Sequence, residues 1–169
     1  VDGDITTTLT ATANNAGGYS GESTTTTVKN TDDDTNGISI AQTGTTDGSG
    51  NLLTTEAGST STFTVVLDAA PTADITVSIT GLDATENSLS GSTLSGTNTL
   101  TFTTANWNTA QTVTITGVDD SIVDGDITTT LTATANNAGG YSGESTTTTV
   151  KNTDDDTNGI SIAQTGTTD

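Results

Sequence analysis

Carboxylates are the side chains in this sequence best suited to chemistry, and they are clustered rather than scattered. Asp119 and Asp120 are followed by Asp124 and Asp126, Asp154-Asp155-Asp156 forms an unbroken run, and Glu56 stands in the segment Thr54-Thr55-Glu56-Ala57-Gly58. The chain contains no histidine and no cysteine. Imidazole bases, thiolate nucleophiles and the usual zinc ligands are therefore excluded. Its formal net charge is −19, with Lys29 and Lys151 as the only basic residues. Carboxylates gathered at one place repel one another unless something neutralises them. Hard oxygen donors in such numbers, without nitrogen or sulfur beside them, suit Ca²⁺, which accepts about 6–8 oxygens in flexible geometry. Spread evenly, the same acids would indicate solubility alone.

These acids must be positioned by strands, because period-2 alternation dominates and no stretch shows a helical period. In residues 59–67, Ser61, Phe63, Val65 and Leu67 share one face; in residues 73–80, Ile75, Val77 and Ile79 do so. Further strands are expected at 37–42, 99–103, 111–118, 126–135 and 144–151, each with an apolar face and a threonine-rich one. About seven strands separated by Gly, Asn and Asp turns predict an all-β, immunoglobulin-like antiparallel sandwich. Trp107, between two strands, is expected to plug one end of it, and Pro71 lies in the turn Ala69-Ala70-Pro71-Thr72. Placed on this pattern, the acids fall in loops and at strand exits that can share one end of the sandwich.

Residues 1–47 and 123–169 are identical, an offset of 122 residues. That period is the length of a small domain and too long for a solenoid rung. The chain therefore reads as a window on a tandem array. Residues 1–34 are expected to be the C-terminal strands of one repeat, 35–156 a complete repeat, and 157–169 the first strand of the next. Interchangeable copies suit a spacer or fibre better than an enzyme, which needs one unique site.

The unit also resembles a known family. Glu56-Ala57-Gly58 lies between two strands. Val113-Thr114-Ile115-Thr116-Gly117-Val118-Asp119-Asp120 is followed by Asp124, and Asp154-Asp155-Asp156 is followed by Gly159-Ile160. This order is similar to that of Calx-β domains, found in sodium/calcium exchangers and as tandem repeats in large bacterial surface proteins and adhesins. The stretch 101–120 is especially similar to the bacterial repeats. The resemblance implies Ca²⁺ ligands at Glu56, at Asp119, Asp120 and Asp124, and at Asp154, Asp155 and Asp156, with Asp83 or Glu86 as a further ligand. By the same matching, Asp2, Asp32, Asp33 and Asp34 belong to the site of a preceding unit. It further implies a secreted, cell-surface location and a calcium-stiffened adhesin stalk whose partners are neighbouring repeats of the same chain. Neither an EF-hand loop nor a glycine-rich nonapeptide series is present.

Other functions are less well carried by the residues. A surface this acidic repels nucleic acid and anionic membranes, and no apolar run approaches the roughly 20 residues that span a bilayer. An ice-binding surface would set threonines in register at a short period, whereas the period here is 122. A covalent Lys–Asn cross-link would use Lys151 and Asn152. A glycosidase would use paired acids, but the sequence offers no aromatic sugar platform. A filament whose units associate without calcium is the closest alternative to a stalk.

Overall fold

A computed structural model describes residues 2–14 and 16–166 of the protein. Among the described residues there is no helix, and eleven strands form three sheets. They are β1 (Ile5–Thr12), β2 (Ser23–Asn30), β3 (Ile38–Gln42), β4 (Leu52–Thr55), β5 (Thr60–Leu67), β6 (Ile75–Thr80), β7 (Asn87–Ser90), β8 (Thr99–Phe102), β9 (Gln111–Gly117), β10 (Ile127–Ala135) and β11 (Ser145–Thr153). One sheet has the order β4-β11-β10-β6-β8, a second β3-β5-β9-β7, and β1-β2 is a separate hairpin.

The five- and four-stranded sheets share one core, as the period-2 pattern requires of half-buried strands. Phe63 and Val65 of β5, Val113 and Ile115 of β9, Ile75 and Val77 of β6, Leu100 and Phe102 of β8, and Leu131 and Val150 of the β10–β11 hairpin all lie in it. The result is a β-sandwich-like fold. Trp107 packs against this core from the β8–β9 turn, and its carbonyl accepts a bond from the Leu67 amide at 3.2 Å.

Nine strands, not seven, make up residues 38–153. The two additional strands are β4, in a segment that reads as a turn, and β7, in a segment that reads as a loop. Each is only four residues long, too short for alternation to stand out. The sandwich is also not wholly antiparallel, because β4 runs parallel to β11, with Val150 opposite Leu52 and Thr153 opposite Thr55. Residues 157–166, expected to begin another strand, contain none, and Ile160 and Ile162 are almost fully exposed. Their sequence counterpart β3 is held by β5. Residues 167–169 of that expected strand lie outside the described residues.

Registers fix which ends of the strands meet. Ile38, the first residue of β3, lies opposite Leu67 at the end of β5. Tyr141 is at this same end, where its hydroxyl donates to the Ala69 carbonyl at 2.8 Å. The last residues of β11 and β4, the start of β5 and the end of β9 gather at the other end, through Thr153↔Thr55 and Thr60↔Thr116. The chain thus enters the sandwich at one end and leaves it at the other.

Candidate metal centre

The inward-facing positions change character as the strands approach the exit end. On β4 the series Leu52, Thr54 continues in parity to Glu56; on β11 Val150, Asn152 continues to Asp154 and Asp156. Alternation across the strand thus aims the carboxylates at the same end as the last core residues. Beneath them lies a buried polar layer. Thr54 Oγ1 donates to Asn152 Oδ1 at 2.9 Å and accepts from Asn87 Nδ2 at 3.0 Å, and Asn152 Nδ2 donates to Glu86 Oε2 at 3.2 Å. Gly117 lies over this layer, and a side-chain carbon there would collide with the Thr55 carbonyl oxygen and Asn152 Oδ1.

Two acidic triads result. Glu56, Asp154 and Asp156 each place a carboxylate oxygen within 4.8 Å of the others, and so do Glu86, Asp120 and Asp124. Glu56 is 2% exposed and Glu86 4%. The local backbone shapes the exit segment: Asp154 Oδ1 accepts from the Asp156 amide at 2.8 Å, and Asp154 Oδ2 accepts from the Gly125 amide at 2.8 Å. Glu56 Oε2 accepts only a long bond, 3.4 Å, from the Asp155 amide. Asp156 Oδ2 is buried and has no hydrogen-bond partner. Neither lysine reaches these groups. Lys151 pairs with Asp126 at 2.6 Å and Lys29 with Asp4.

The other expected ligands are placed differently. Asp119 and Asp155 are exposed and belong to neither triad. Asp83 is exposed and turned to its own loop, where Oδ1 accepts from the Thr85 amide and hydroxyl at 3.0 and 2.6 Å. Of the pair Asp83 and Glu86, it is Glu86 that joins a triad. Asp2, Asp32, Asp33 and Asp34 form no such triad among the described residues. Asp32 nevertheless repeats the local geometry of Asp154, accepting from the Gly3 amide at 2.8 Å and from the Asp34 amide at 3.1 Å. The exit segment is therefore shaped by the hairpin itself, and the buried glutamate is what the complete sandwich adds. The Thr54–Asn87–Asn152 layer escaped the sequence reading; a polar residue at an inward parity beside an acid run is the signal that would have found it. Lys151 and Asn152, as successive strand residues, point to opposite faces, which does not suit a Lys–Asn cross-link.

Burial raises the pKa of Glu56 above its ordinary 4.5, and the charges of Asp154, Asp120 and Asp156 raise it further. Asp156 is raised above 3.8 by burial and then by its acidic neighbours. Without a cation, the folded chain therefore holds protons at these groups more tightly than the unfolded chain does. Stability should rise as pH falls from neutrality through their elevated range. Asp126 and Asp83 behave oppositely: the bond from Lys151 and the bonds from Thr85 lower their pKa values, so their contribution is lost below the ordinary range. Thermal melts in chelator, from neutrality to about pH 3, are expected to show maximal stability on the acid side of neutrality. A steady decline from neutrality downward would contradict this account.

Compared with protein families and with curated proteins, the chain matches no family model and no curated protein.

Proposed function

We propose that this chain is a calcium-stabilised structural module of an extracellular bacterial surface protein, of the Calx-β kind. Its immunoglobulin-like sandwiches follow one another in tandem as a stalk or fibre spacer, and it is not an enzyme. One observation carries the cation: Glu56 is buried against Asp154 and Asp156 while both lysines are committed elsewhere. An uncompensated buried carboxylate is costly. A hard divalent ion would remove that cost using oxygen donors already converged, including the unpartnered Asp156 Oδ2. Glu56, Asp154 and Asp156 would hold one such ion, and Glu86, Asp120 and Asp124 offer a second set of the same chemistry. The ion would supply neutralising charge and tie the β4–β5 turn to the exit segment.

The spacer role draws support from the opposite placement of the chain's entrance and exit, which suits modules joined end to end. Only Thr35, Asn36 and Gly37 separate the acids Asp32–Asp34 from β3, too few for free swivelling. Asn36 is itself tied down, its Nδ2 donating to the Gly140 carbonyl at 2.6 Å. Residues 48–169 carry 14 acids against one lysine, so neutralisation would also relieve repulsion along an array. Extracellular modules typically bind calcium with Kd about 10⁻⁴–10⁻³ M. Saturation at about a hundredfold above Kd stabilises by about 2.7 kcal/mol, a rise in Tm of roughly 10 °C for a domain of this size. Melting the whole chain in calcium and in chelator tests the proposal; coincident transitions would end it.

A further inference from the structure

Glu86 is 4% exposed, and among the described residues its carboxylate receives a single hydrogen bond, from Asn152 Nδ2 at 3.2 Å. The other members of its triad are held differently. Asp120 Oδ1 accepts from the Ile122 amide of its own loop at 2.7 Å, and Asp124 is exposed on that loop. Glu86 comes from the separate loop between β6 and β7, and something has to hold it toward them.

Asn152 is 1% exposed and stands on β11, two residues before Asp154. Its amide is oriented from the opposite side. Oδ1 accepts from Thr54 Oγ1 at 2.9 Å, and Thr54 Oγ1 accepts in turn from Asn87 Nδ2 at 3.0 Å. The donors thus point one way along Asn87, Thr54 and Asn152, and the series ends on the Glu86 carboxylate. Hydrogen bonds aligned in this way polarise one another, with their positive ends toward the negative charge. Asn87 Oδ1, at the far end, is buried without a partner. An unpaired buried acceptor is costly, and apolar side chains at these three positions would avoid that cost. The polarity of the layer is accounted for by the charge at its end rather than by packing.

We propose, on the reading that the acidic end takes divalent cations, that Asn152 is a positioning residue for the second triad. By donating to Glu86 it holds that carboxylate toward Asp120 and Asp124. It makes no hydrogen bond to Glu56, Asp154 or Asp156 among the described residues, so its effect is confined to one of the two sets.

Calcium titration of the whole chain, followed by backbone amide NMR signals, separates the sets. The Asp156 amide donates to Asp154 of the first triad, and the Ile122 amide to Asp120 of the second. In the unaltered protein both signals should move with calcium. Asn152→Leu should raise the calcium midpoint at Ile122 by about 10–100-fold and leave that at Asp156 within about twofold. A merely loosened fold would shift both. Thr54→Val removes the hydroxyl that orients Asn152, and should shift Ile122 in the same sense; it decides the matter alone if Asn152→Leu shows no cooperative melt in chelator. In a Glu86→Gln background, Asn152→Leu should have no further effect, because it acts through Glu86. Equal shifts at the two amides, no shift at Ile122 in either variant, or an Ile122 signal that ignores calcium while Asp156 responds would each overturn the proposal and leave calcium binding at the first triad in place. Indifference of both signals to calcium in the unaltered protein would remove the cation reading itself, and the role of Asn152 with it.

Discussion

Replacing Glu56 with glutamine is expected to raise the melting temperature of the protein in chelator and to abolish its response to calcium. The two effects have opposite signs because, under the proposed function, one residue is a liability without the ion and a ligand with it. In chelator, the substitution removes a buried charge that desolvation and the carboxylates of Asp154, Asp120 and Asp156 all oppose, while keeping the shape and the acceptor for the Asp155 amide. In calcium, the triad loses its most buried charge, and the expected rise of roughly 10 °C should shrink to near zero. Asp83→Asn provides the control, since Asp83 lies outside both triads, and should leave the calcium shift intact. A Glu56→Gln protein that is less stable in chelator and still shifts fully with calcium would remove the basis for the metal centre.

Leu131→Ala and Leu9→Ala alter the same residue in the same sequence, yet their consequences should differ at least about fourfold. Leu131 is 1% exposed among Ile79, Leu100 and the other core residues, so truncation loses burial and leaves a cavity, at a cost of about 2–5 kcal/mol. Leu9 is half exposed on the lone hairpin, and its truncation should change sandwich stability by no more than about 0.5 kcal/mol. Urea unfolding of the two variants measures both. Similar losses would mean that β1–β2 shares in the same cooperative unit as the sandwich.

The contrast between the two hairpins also marks what could be seen in the sequence. Hairpin register and the Asp–Lys pair are local, set by residues within 30 positions of one another, and they form identically in both copies. The core strands were legible because Phe63, Val65, Val113 and Ile115 alternate with threonine over seven or eight residues. Burial was not legible from the hairpin's own sequence, since it depends on β4 and β6, which stand far away in the chain. β4 and β7 were missed because four residues give only two inward positions, and those of β4 are Leu52 and Thr54. The acidic end was anticipated as a gathering of Glu56 with the two Asp clusters. Its division into two triads was not, because that depends on the folded paths of the loops carrying Glu56, Glu86 and Asp120–Asp124, which alternation along strands does not specify. Asp83 and Glu86 are three residues apart in one loop, and only the folded backbone shows that Glu86 turns inward while Asp83 caps Thr85.

Because the chain comes in beside Tyr141 and goes out beside Glu56, a force applied to the sandwich at Ile38 and Thr153 acts along the strands rather than across them. β3 would be drawn lengthwise past β5, and β11 lengthwise past β4, so the ladder bonds of each pair share the load and must fail together instead of unzipping singly. At the exit, the load reaches residues 154–156 before the β11–β4 ladder, and there Asp154 and Asp156 face Glu56 on the turn following β4. Whatever bridges those carboxylates sets the mechanical strength of the module where it is first pulled.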